Sequence, residues 1–171
     1  MTRLAPDSAL AGFDPASDPR GFRTALGRFA TGVTVITIDG PEGPAGMTAN
    51  SFTSVSLDPP LVLWSLDRAS SRYAAFAGAE SFAIHVIGRD ARALCGRFTR
   101  GGEGFAGLAA GRNGDGVPTL PGALARFDCR RDTTVPAGDH LLILGAVSRV
   151  EMAEGAPLVF QGGAFGEFVP M

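Results

Sequence analysis

Glycine and proline divide the chain into short segments, and this limits the folds that it can adopt. The 171 residues include 24 glycines and 12 prolines. Between them lie runs rich in β-branched residues, such as VTVITID at 33–39 and SFAIHVI at 81–87. Short runs of this kind, bounded by turn residues, are typical of strands. We therefore expect a mainly β fold, an antiparallel barrel with a few peripheral helices, in preference to a parallel βαβ sheet.

Periodicity and turn residues give the boundaries of the expected elements. Strands are predicted over 33–39, 45–57, 61–66, 81–87, 124–130, 140–152 and 158–168. Asp18 followed by Pro19 predicts the start of a helix that runs toward Gly32, and Ser70 or Ser71 is expected to cap a helix over 70–77. A further helix is expected over 90–98 and a long loop over 99–118. Residues 1–17 are expected to form a flexible arm before a single domain over 18–171.

Composition excludes several classes of function. A hydrophobic content of 45% and a charged content of 19% are those of a globular protein, and a net charge of −2 favours neither nucleic acid nor an anionic membrane. No segment approaches the roughly 20 apolar residues of a membrane span, and the N-terminus lacks the apolar run of a signal peptide. Cys95 and Cys129 are too few for a zinc motif or a disulfide framework. These features predict a cytoplasmic protein.

All fifteen basic residues are arginine, because the chain contains no lysine. This excludes a Schiff base and a P-loop lysine. A bound anion must therefore be held by arginine, hydroxyls, backbone N–H groups or helix termini. Arg72, beside the predicted start of the helix over 70–77, is a candidate for such an anion site, although a solvated arginine on a capped helix would have the same sequence.

An unusual concentration of polar residues lies in the segment GMTANSFTSVSLDPPLVLWSL (46–66). Six of the nine residues from Thr48 to Ser56 carry a hydroxyl or an amide. In an alternating strand neither face of this segment would be cleanly apolar, so a simple half-buried strand explains it poorly. Two interpretations remain open: a solvated edge strand, or a cleft that hydrogen-bonds a flat ligand with polar edges.

The two histidines have different surroundings. His85 lies in the middle of an apolar strand and is interpreted as a structural residue. His140 stands where a turn enters a strand, next to Asp139. A histidine beside a carboxylate at such a boundary is either a turn contact or a site residue.

The sequence resembles the flavin reductase-like family, the reductase components of two-component flavin-dependent monooxygenases. The motifs that carry the resemblance are FRTALGRFATGVTVIT (22–37), GMTANSFTSVSLDPPLVLWSL (46–66), SSRYAAF (70–76), SFAIHVI (81–87), AGDHLLILGAV (137–147) and PLVFQGGAFG (157–166). They follow one another in the family's order and spacing from Asp18 onward.

This resemblance implies a fold, an activity and a set of contacts. The fold would be an antiparallel Greek-key, FMN-binding split β-barrel, in a homodimer with the flavin near the subunit interface. The protein would transfer hydride from NADH or NADPH to FMN, or to FAD, and the reduced flavin would diffuse to a partner monooxygenase. His140 and Phe165 would lie on the nicotinamide side, where His140 would orient the dihydronicotinamide or assist protonation. The implied flavin-binding residues are Gly46, Met47, Thr48, Ala49, Asn50, Ser51, Phe52, Ser65, Leu66, Ser71, Arg72, Arg97 and Phe98. Within this set, Ser71 and Arg72 would meet the phosphate, and Arg97-Phe98 would be a weaker phosphate or adenine contact.

Two other classes share the same barrel. The first is a non-enzymatic flavin- or haem-binding protein, whose haem would need His85 or His140 as axial ligand. The second is an oxidase for a phosphorylated pyridoxine-like substrate, which the lack of lysine and of clustered arginine disfavours. NADH oxidation in the presence of FMN separates the first of these from a reductase.

Overall fold

Twelve strands and three short α-helices make up the part of the chain that the computed structural model describes, namely residue 10, residues 12–100 and residues 104–170. The helices are α1 (Pro19–Leu26), α2 (Tyr73–Gly78) and α3 (Ala93–Arg97), and a 3-10 helix at Arg89–Ala91 precedes α3. The strands are β1 (Thr31–Gly32), β2 (Thr34–Gly40), β3 (Gly43–Ala49), β4 (Thr53–Leu57), β5 (Pro60–Asp67), β6 (Ser81–Ile87), β7 (Gly111–Arg112), β8 (Pro118–Thr119), β9 (Ala123–Ala137), β10 (His140–Met152), β11 (Leu158–Gln161) and β12 (Ala164–Glu167). The predicted mainly β, antiparallel class is confirmed.

Seven strands form one antiparallel sheet in the order β3-β2-β6-β9-β10-β5-β4. β3 and β4 are its two edges, yet only residues 50–52 connect them. Because a chain advances at most about 3.6 Å per residue, so short a connection holds the two edges within about 15 Å of each other. The sheet therefore curls into a barrel that is split between β3 and β4. Smaller sheets, β1-β11-β12 and β7-β8, lie outside this barrel.

The core consists of two clusters of buried side chains. The first is centred on Trp64, whose ring meets Phe76 and Phe82 edge-on at 5.9 and 6.2 Å. The second joins the start of β2, α3 and β11, and includes Val35 and Phe98. Burying a large apolar side chain contributes about 1.5–3 kcal/mol. These clusters fix β3 and α3, and with them the elements that border the split.

The predicted helix at Pro19 is present but shorter than expected. Asp18 caps it by accepting from the Gly21 N–H at 2.8 Å, as the sequence predicts. The prediction that it continues toward Gly32 is wrong, because α1 ends at Leu26 and β1, from Thr31, pairs with β11. None of the residues of α1 is buried.

Tertiary contacts change several other predicted boundaries. The single strand over 45–57 is wrong, since β3 ends at Ala49 and β4 begins at Thr53 on the opposite edge of the sheet. The segment 158–168 forms a hairpin, β11 and β12, and 90–98 forms part of a 3-10 helix followed by α3. Neither Ser70 nor Ser71 occupies the N-cap of α2, a position that belongs to Arg72. The Ser70 hydroxyl instead accepts from the Arg72 N–H at 3.2 Å.

Residues 1–9 and 11, most of the predicted N-terminal arm, lie outside the described residues. Near the end of that arm, the N–H groups of Ser17 and Asp18 each donate to the Asp14 carbonyl at 3.1 Å and form a turn ahead of α1. In the described ranges, no helix is both long and apolar enough to cross a membrane.

Candidate functional site

A recess of about 390 Å³ lies where β3, the turn before α2 and the end of α3 meet. We call it the arginine pocket because Arg72, Arg97 and Arg100 all line it, together with Gly46, Ser71 and Phe98. Five of the thirteen residues implied as flavin contacts are thus brought together, from three separate stretches of the sequence. A cluster of guanidinium groups with a hydroxyl has the donor geometry that phosphate prefers.

Arg72 is held in place by two main-chain carbonyls. Its Nη1 donates to the oxygen of Gly46 and, at 3.0 Å, to the oxygen of Phe98. Partial burial lowers the pKa of Arg72 from its usual value, but a guanidinium remains protonated at neutral pH. No other described residue accepts from its remaining N–H groups, which leaves part of the guanidinium fork for a ligand.

Gly46 allows the ring of Phe98 to pack directly on β3. A Cβ at this position would lie 2.3 Å from Cδ1 and 2.6 Å from Cε1 of Phe98. The Thr48 N–H donates to the Phe98 carbonyl at 3.2 Å, and the Phe105 ring lies 5.0 Å from the Phe98 ring. These contacts, with the two bonds of Arg72, join β3, α2 and α3 into one wall of the pocket.

Arg97 organises the loop that follows α3. Its Nε donates to the Gly104 carbonyl at 3.0 Å, and its Nη2 donates to the Ala106 carbonyl. The first of these bonds holds Gly104 in the lining of the pocket, so part of the Arg97 guanidinium already binds the protein itself.

The residues of β3 alternate between the barrel core and the face that packs on α3. Met47 and Ala49 pack against the first core cluster, as does Phe52, whose ring is 5.5 Å from Phe127. The Thr48 hydroxyl donates to the Cys95 carbonyl at 2.7 Å. Asn50 is exposed and lines a different cleft, described below.

The Ser51 hydroxyl ties the connection between β3 and β4 to β5. The Ser51 Oγ accepts from the Ser65 N–H at 3.0 Å and donates to the Ser65 carbonyl at 3.2 Å. Leu66 is fully buried in the first core cluster, so its side chain does not line the arginine pocket. Part of the polar character of 48–56 therefore comes from bonds that hold the open barrel together.

A second and larger recess, which we call the helix cleft, has a volume of about 790 Å³. It lies between the end of α1 and the β11–β12 turn, and Asn50 closes one side. Its polar and aromatic lining includes Arg23, Arg28, Thr31, Asn50, Phe29 and Phe160. Of these, only Asn50 belongs to the set implied as flavin contacts.

His140 and Phe165, implied on the nicotinamide side, lie on different sheets. His140 is 40% exposed at the start of β10, and its Nδ1 lies 2.7 Å from Oδ1 of Asp139. This contact lowers the pKa of the Asp139 carboxyl and orients the imidazole. Phe165 lies on β12, 5.5 Å from the Phe160 ring, and the Arg92 guanidinium stands 5.0 Å from its centroid. Phe165 therefore borders the helix cleft through Phe160.

His85 has the environment of a structural histidine. It is fully buried; its Nδ1 lies 3.1 Å from the Val35 carbonyl, and its Nε2 accepts from the Leu120 N–H at 3.1 Å. Burial is the main reason that its pKa falls to about 4. With both ring nitrogens engaged, His85 cannot be an axial haem ligand.

Neither cysteine is placed for chemistry. Cys95 and Cys129 are both buried free thiols. Burial raises both thiol pKa values, that of Cys129 to about 12. In the ranges that the structure describes, no three His, Cys, Asp or Glu side chains form a group that could hold a metal ion.

Sequence reasoning missed Arg100 in the arginine pocket and both arginines of the helix cleft. The absence of lysine indicated that arginines would hold any anion, but not which of the fifteen. Arg23 and Arg28 sit beside apolar helix residues and look like ordinary solvated charges until β11 is placed against α1.

Comparison with known proteins gives matches over most of the chain. Residues 26–168 match the family model described as "Flavin reductase like domain". The chain is 58% identical to the FMN reductase (NADH) SmoA of Agrobacterium fabrum, over 87% of this chain and 86% of that protein. It is 37% identical to HsaB of Rhodococcus jostii, named the reductase subunit of a flavin-dependent monooxygenase, over 99% and 87% of the two chains. The Streptomyces globisporus NADH:FAD oxidoreductase SgcE6, solved in complex with NAD and FAD fragments, superimposes with a TM-score of 0.86 at 33% identity, covering 94% of this chain and 98% of that one.

Proposed function

The chain belongs to the flavin reductase-like family and is a flavin oxidoreductase, and we propose that it reduces FMN with NADH and passes the reduced flavin to a monooxygenase. SmoA is named an FMN reductase that uses NADH, which supports the reduction step. HsaB is named the reductase subunit of a flavin-dependent monooxygenase, which supports the transfer of reduced flavin. FAD and NADPH remain the alternative flavin and nucleotide. The observation that carries the proposal is the arginine pocket, which gathers phosphate-binding groups at one end of an edge strand.

The described residues fit a flavin mononucleotide. Arg72 keeps free N–H groups beside Ser71, a donor set suited to a phosphate. From Gly46, β3 runs along the split as an edge strand that pairs only with β2. Such an edge presents main-chain N–H and C=O groups that can meet the polar edge of a flat ring. The polar segment contains edge strands, as one interpretation expected, and Gly46 lines a recess; that a flat ligand binds along this edge is part of the proposal.

Each group would have a separate role. Arg72 and Ser71 would bind the phosphate, with Arg97 and Arg100 adding charge, and the main chain of 46–52 would bind the ring system. His140, oriented by Asp139, would position the dihydronicotinamide or hold a proton at Nε2. The flavin, when bound, supplies the hydride acceptor, so the protein contributes orientation and electrostatics.

Anaerobic turnover tests this proposal directly. Purified protein is mixed with FMN and NADH, and nucleotide oxidation and flavin reduction are followed by absorbance. One mole of oxidised nucleotide is expected per mole of reduced flavin, at rates far above a protein-free control. Parallel runs with FAD and NADPH rank the alternatives. Rates equal to the control with every combination would refute a reductase and leave a flavin-binding protein.

A homodimer belongs to the same proposal. The central apolar side chains of the strands over 33–38 and 141–147 are covered by the chain itself. Val35, Ile36 and Ile143 are buried within a single chain. Instead, Phe22, Leu26 and Phe29, on and just after α1, are 46%, 60% and 78% exposed.

A cytoplasmic location stays a prediction.

A further inference from the structure

We infer that Arg97 is a positioning residue for the flavin phosphate, and that it acts on Arg72 through the loop over 104–108. This inference rests on the proposed function and gives Arg97 a task beyond the charge that it adds to the arginine pocket. It is carried by the hydrogen bonds of Arg97, by the packing of two phenylalanine rings and by the carbonyl to which Arg72 donates.

The edge of the Arg97 guanidinium that is suited to a phosphate is already occupied. Its Nε donates to the Gly104 carbonyl at 3.0 Å, and its Nη2 donates to the Ala106 carbonyl. These two nitrogens carry the parallel N–H groups with which an arginine meets a phosphate or a carboxylate side-on. Because main-chain oxygens occupy this edge, Arg97 lines the arginine pocket without offering the edge to a ligand.

The same bonds give the loop after α3 a fixed shape. The Gly104 N–H donates back to the Arg97 carbonyl at 2.9 Å, so the main chain and the side chain of Arg97 both hold Gly104. Gly104 and Gly107 have φ values of 58° and 66°, which glycine adopts without strain. The Leu108 N–H donates to the Phe105 carbonyl at 3.0 Å. The loop therefore depends on Arg97 at one end and closes on itself at the other.

Phe105 is the side chain that this loop brings to the pocket. It lines the arginine pocket and packs against the second core cluster. Its ring lies 5.0 Å from the Phe98 ring at an interplanar angle of 66°, the edge-to-face arrangement that aromatic pairs favour. β3 contacts the same Phe98 ring at Gly46, where a Cβ would lie 2.3 Å from Cδ1. The Phe98 ring is thus held by contacts from both β3 and the loop.

The main chain of Phe98 passes this restraint on to Arg72. The Phe98 carbonyl accepts from Nη1 of Arg72 at 3.0 Å and from the Thr48 N–H at 3.2 Å. A shift of the Phe98 ring turns this carbonyl, because the two groups belong to one residue. A guanidinium must be aligned with a phosphate to donate two parallel bonds to it. A turned carbonyl should therefore misalign Arg72 and weaken its bond to the flavin phosphate.

Substitutions at Arg97 and Phe105 separate positioning from direct binding. Phe105→Ala keeps the Arg97 charge and removes the ring through which it acts. Arg97→Gln removes the charge and the bonds, whereas Arg97→Lys keeps a charge but has no planar fork for the two carbonyls. Arg20→Gln and Phe168→Ala are matched controls, because both residues are exposed and line neither recess. Flavin-free proteins are titrated with FMN and with riboflavin, and quenching of flavin fluorescence gives both affinities.

Arg97→Gln, Arg97→Lys and Phe105→Ala should each weaken FMN binding about tenfold, the effect of one impaired charge-assisted bond. Riboflavin, which has no phosphate to align, should bind as it does to the wild type. The double variant Arg97→Gln/Phe105→Ala should lose no more FMN affinity than the weaker single variant, because both changes break one chain of contacts. The two controls should match the wild type with both ligands.

Four results would overturn the inference. Wild-type FMN affinity in Phe105→Ala, wild-type FMN affinity in Arg97→Lys, or losses that multiply in the double variant would each make Arg97 a direct phosphate contact. Equal losses of FMN and riboflavin affinity in the variants would make Arg97 a residue of the fold with no specific effect on the phosphate.

The failures of the two proposals are distinguishable, because the titrations contain no nicotinamide nucleotide. A wild type that does not oxidise NADH refutes the proposed reductase, whereas a selective loss of FMN affinity in the three single variants would still support the role of Arg97. If the wild type oxidises NADH but binds FMN no more tightly than riboflavin, the inference is overturned and the reductase stands.

Discussion

At the scale of single residues, Arg72 has two tasks that a substitution can separate. It ties β3 to α3 through two carbonyls, and its remaining N–H groups face the recess proposed for phosphate. Arg72→Ala should weaken FMN about tenfold or more, since a charge-assisted bond contributes about 1.5–3 kcal/mol. Riboflavin, which lacks the phosphate, should lose less. Quenching of flavin fluorescence measures both affinities, and an equal loss for the two ligands would mean that Arg72 acts only on the structure.

A substitution at His140 tests its proposed role in positioning the nicotinamide nucleotide. Its imidazole is exposed and oriented by Asp139, so its loss should affect nucleotide use and not flavin retention. His140→Ala should lower kcat/KM for NADH by about ten- to a thousand-fold, the range for a lost positioning or general-acid contact. FMN affinity should stay within about twofold. Asp139→Asn, which keeps the imidazole but weakens its orientation, should have a smaller effect. Full activity in folded His140→Ala would make His140 a turn residue.

His85 should make stability depend on pH. Its pKa is lowered from 6.5 to about 4 in the folded state, so between these values the unfolded chain binds a proton that the folded chain does not. Stability therefore falls as pH drops from 6.5 toward 4, by up to 1.36 kcal/mol per pH unit and about 3 kcal/mol in all. Urea denaturation at several pH values measures this slope. His85→Gln, which does not titrate, should show a shallower slope, and an unchanged slope would contradict the assignment.

At the scale of elements, the packing of β3 on α3 rests on one missing side chain. Gly46→Ala places a Cβ 2.3 Å from a carbon of the Phe98 ring, which must move and disturb the carbonyl that Arg72 and Thr48 share. Such overpacking should destabilise the fold by about 1–3 kcal/mol, and FMN binding should weaken with it. Gly96→Ala in α3 is the control, because a Cβ there meets no atom within 4 Å. If both variants had wild-type stability and affinity, the Phe98 contact would not shape the pocket.

Elements defined by local patterns were predictable, and those defined by distant contacts were not. The Asp18-Pro19 start of α1 and the bounds of β6 and β10 follow from capping and from β-branched runs. The break after Ala49 has no local signal, because Asn50 to Phe52 contain neither glycine nor proline. It exists because β3 pairs with β2 and β4 pairs with β5, at opposite edges of the sheet.

The same distinction applies to the candidate site. Family motifs led to Ser71 and Arg72, and the structure brings both to one recess with Gly46. Ser51 and Thr48 were expected to face a ligand, but their hydroxyls donate to carbonyls on β5 and α3. A hydroxyl in a sequence does not reveal which acceptor lies opposite it. The sequence around Arg28 gave no signal either, because the cleft that it lines forms only when β11 lies beside the turn after α1, where the Gln161 side chain binds the Arg28 carbonyl.

At the scale of the whole molecule, the apolar face of α1 predicts association of two chains. Phe22 and Leu26 are one helical turn apart, and both are exposed on a helix that buries none of its residues in its own chain. Exposed apolar clusters of this kind mark interfaces, and a two-fold dimer brings the same face together from both copies. Size-exclusion chromatography with light scattering should give the mass of two chains at micromolar concentration. Phe22→Glu, which leaves both recesses intact, should shift the mass to one chain, whereas Met152→Glu, at an 83% exposed apolar residue on β10, should not. A single-chain mass for the wild type would refute the dimer, and a two-chain mass for Phe22→Glu would move the interface away from α1.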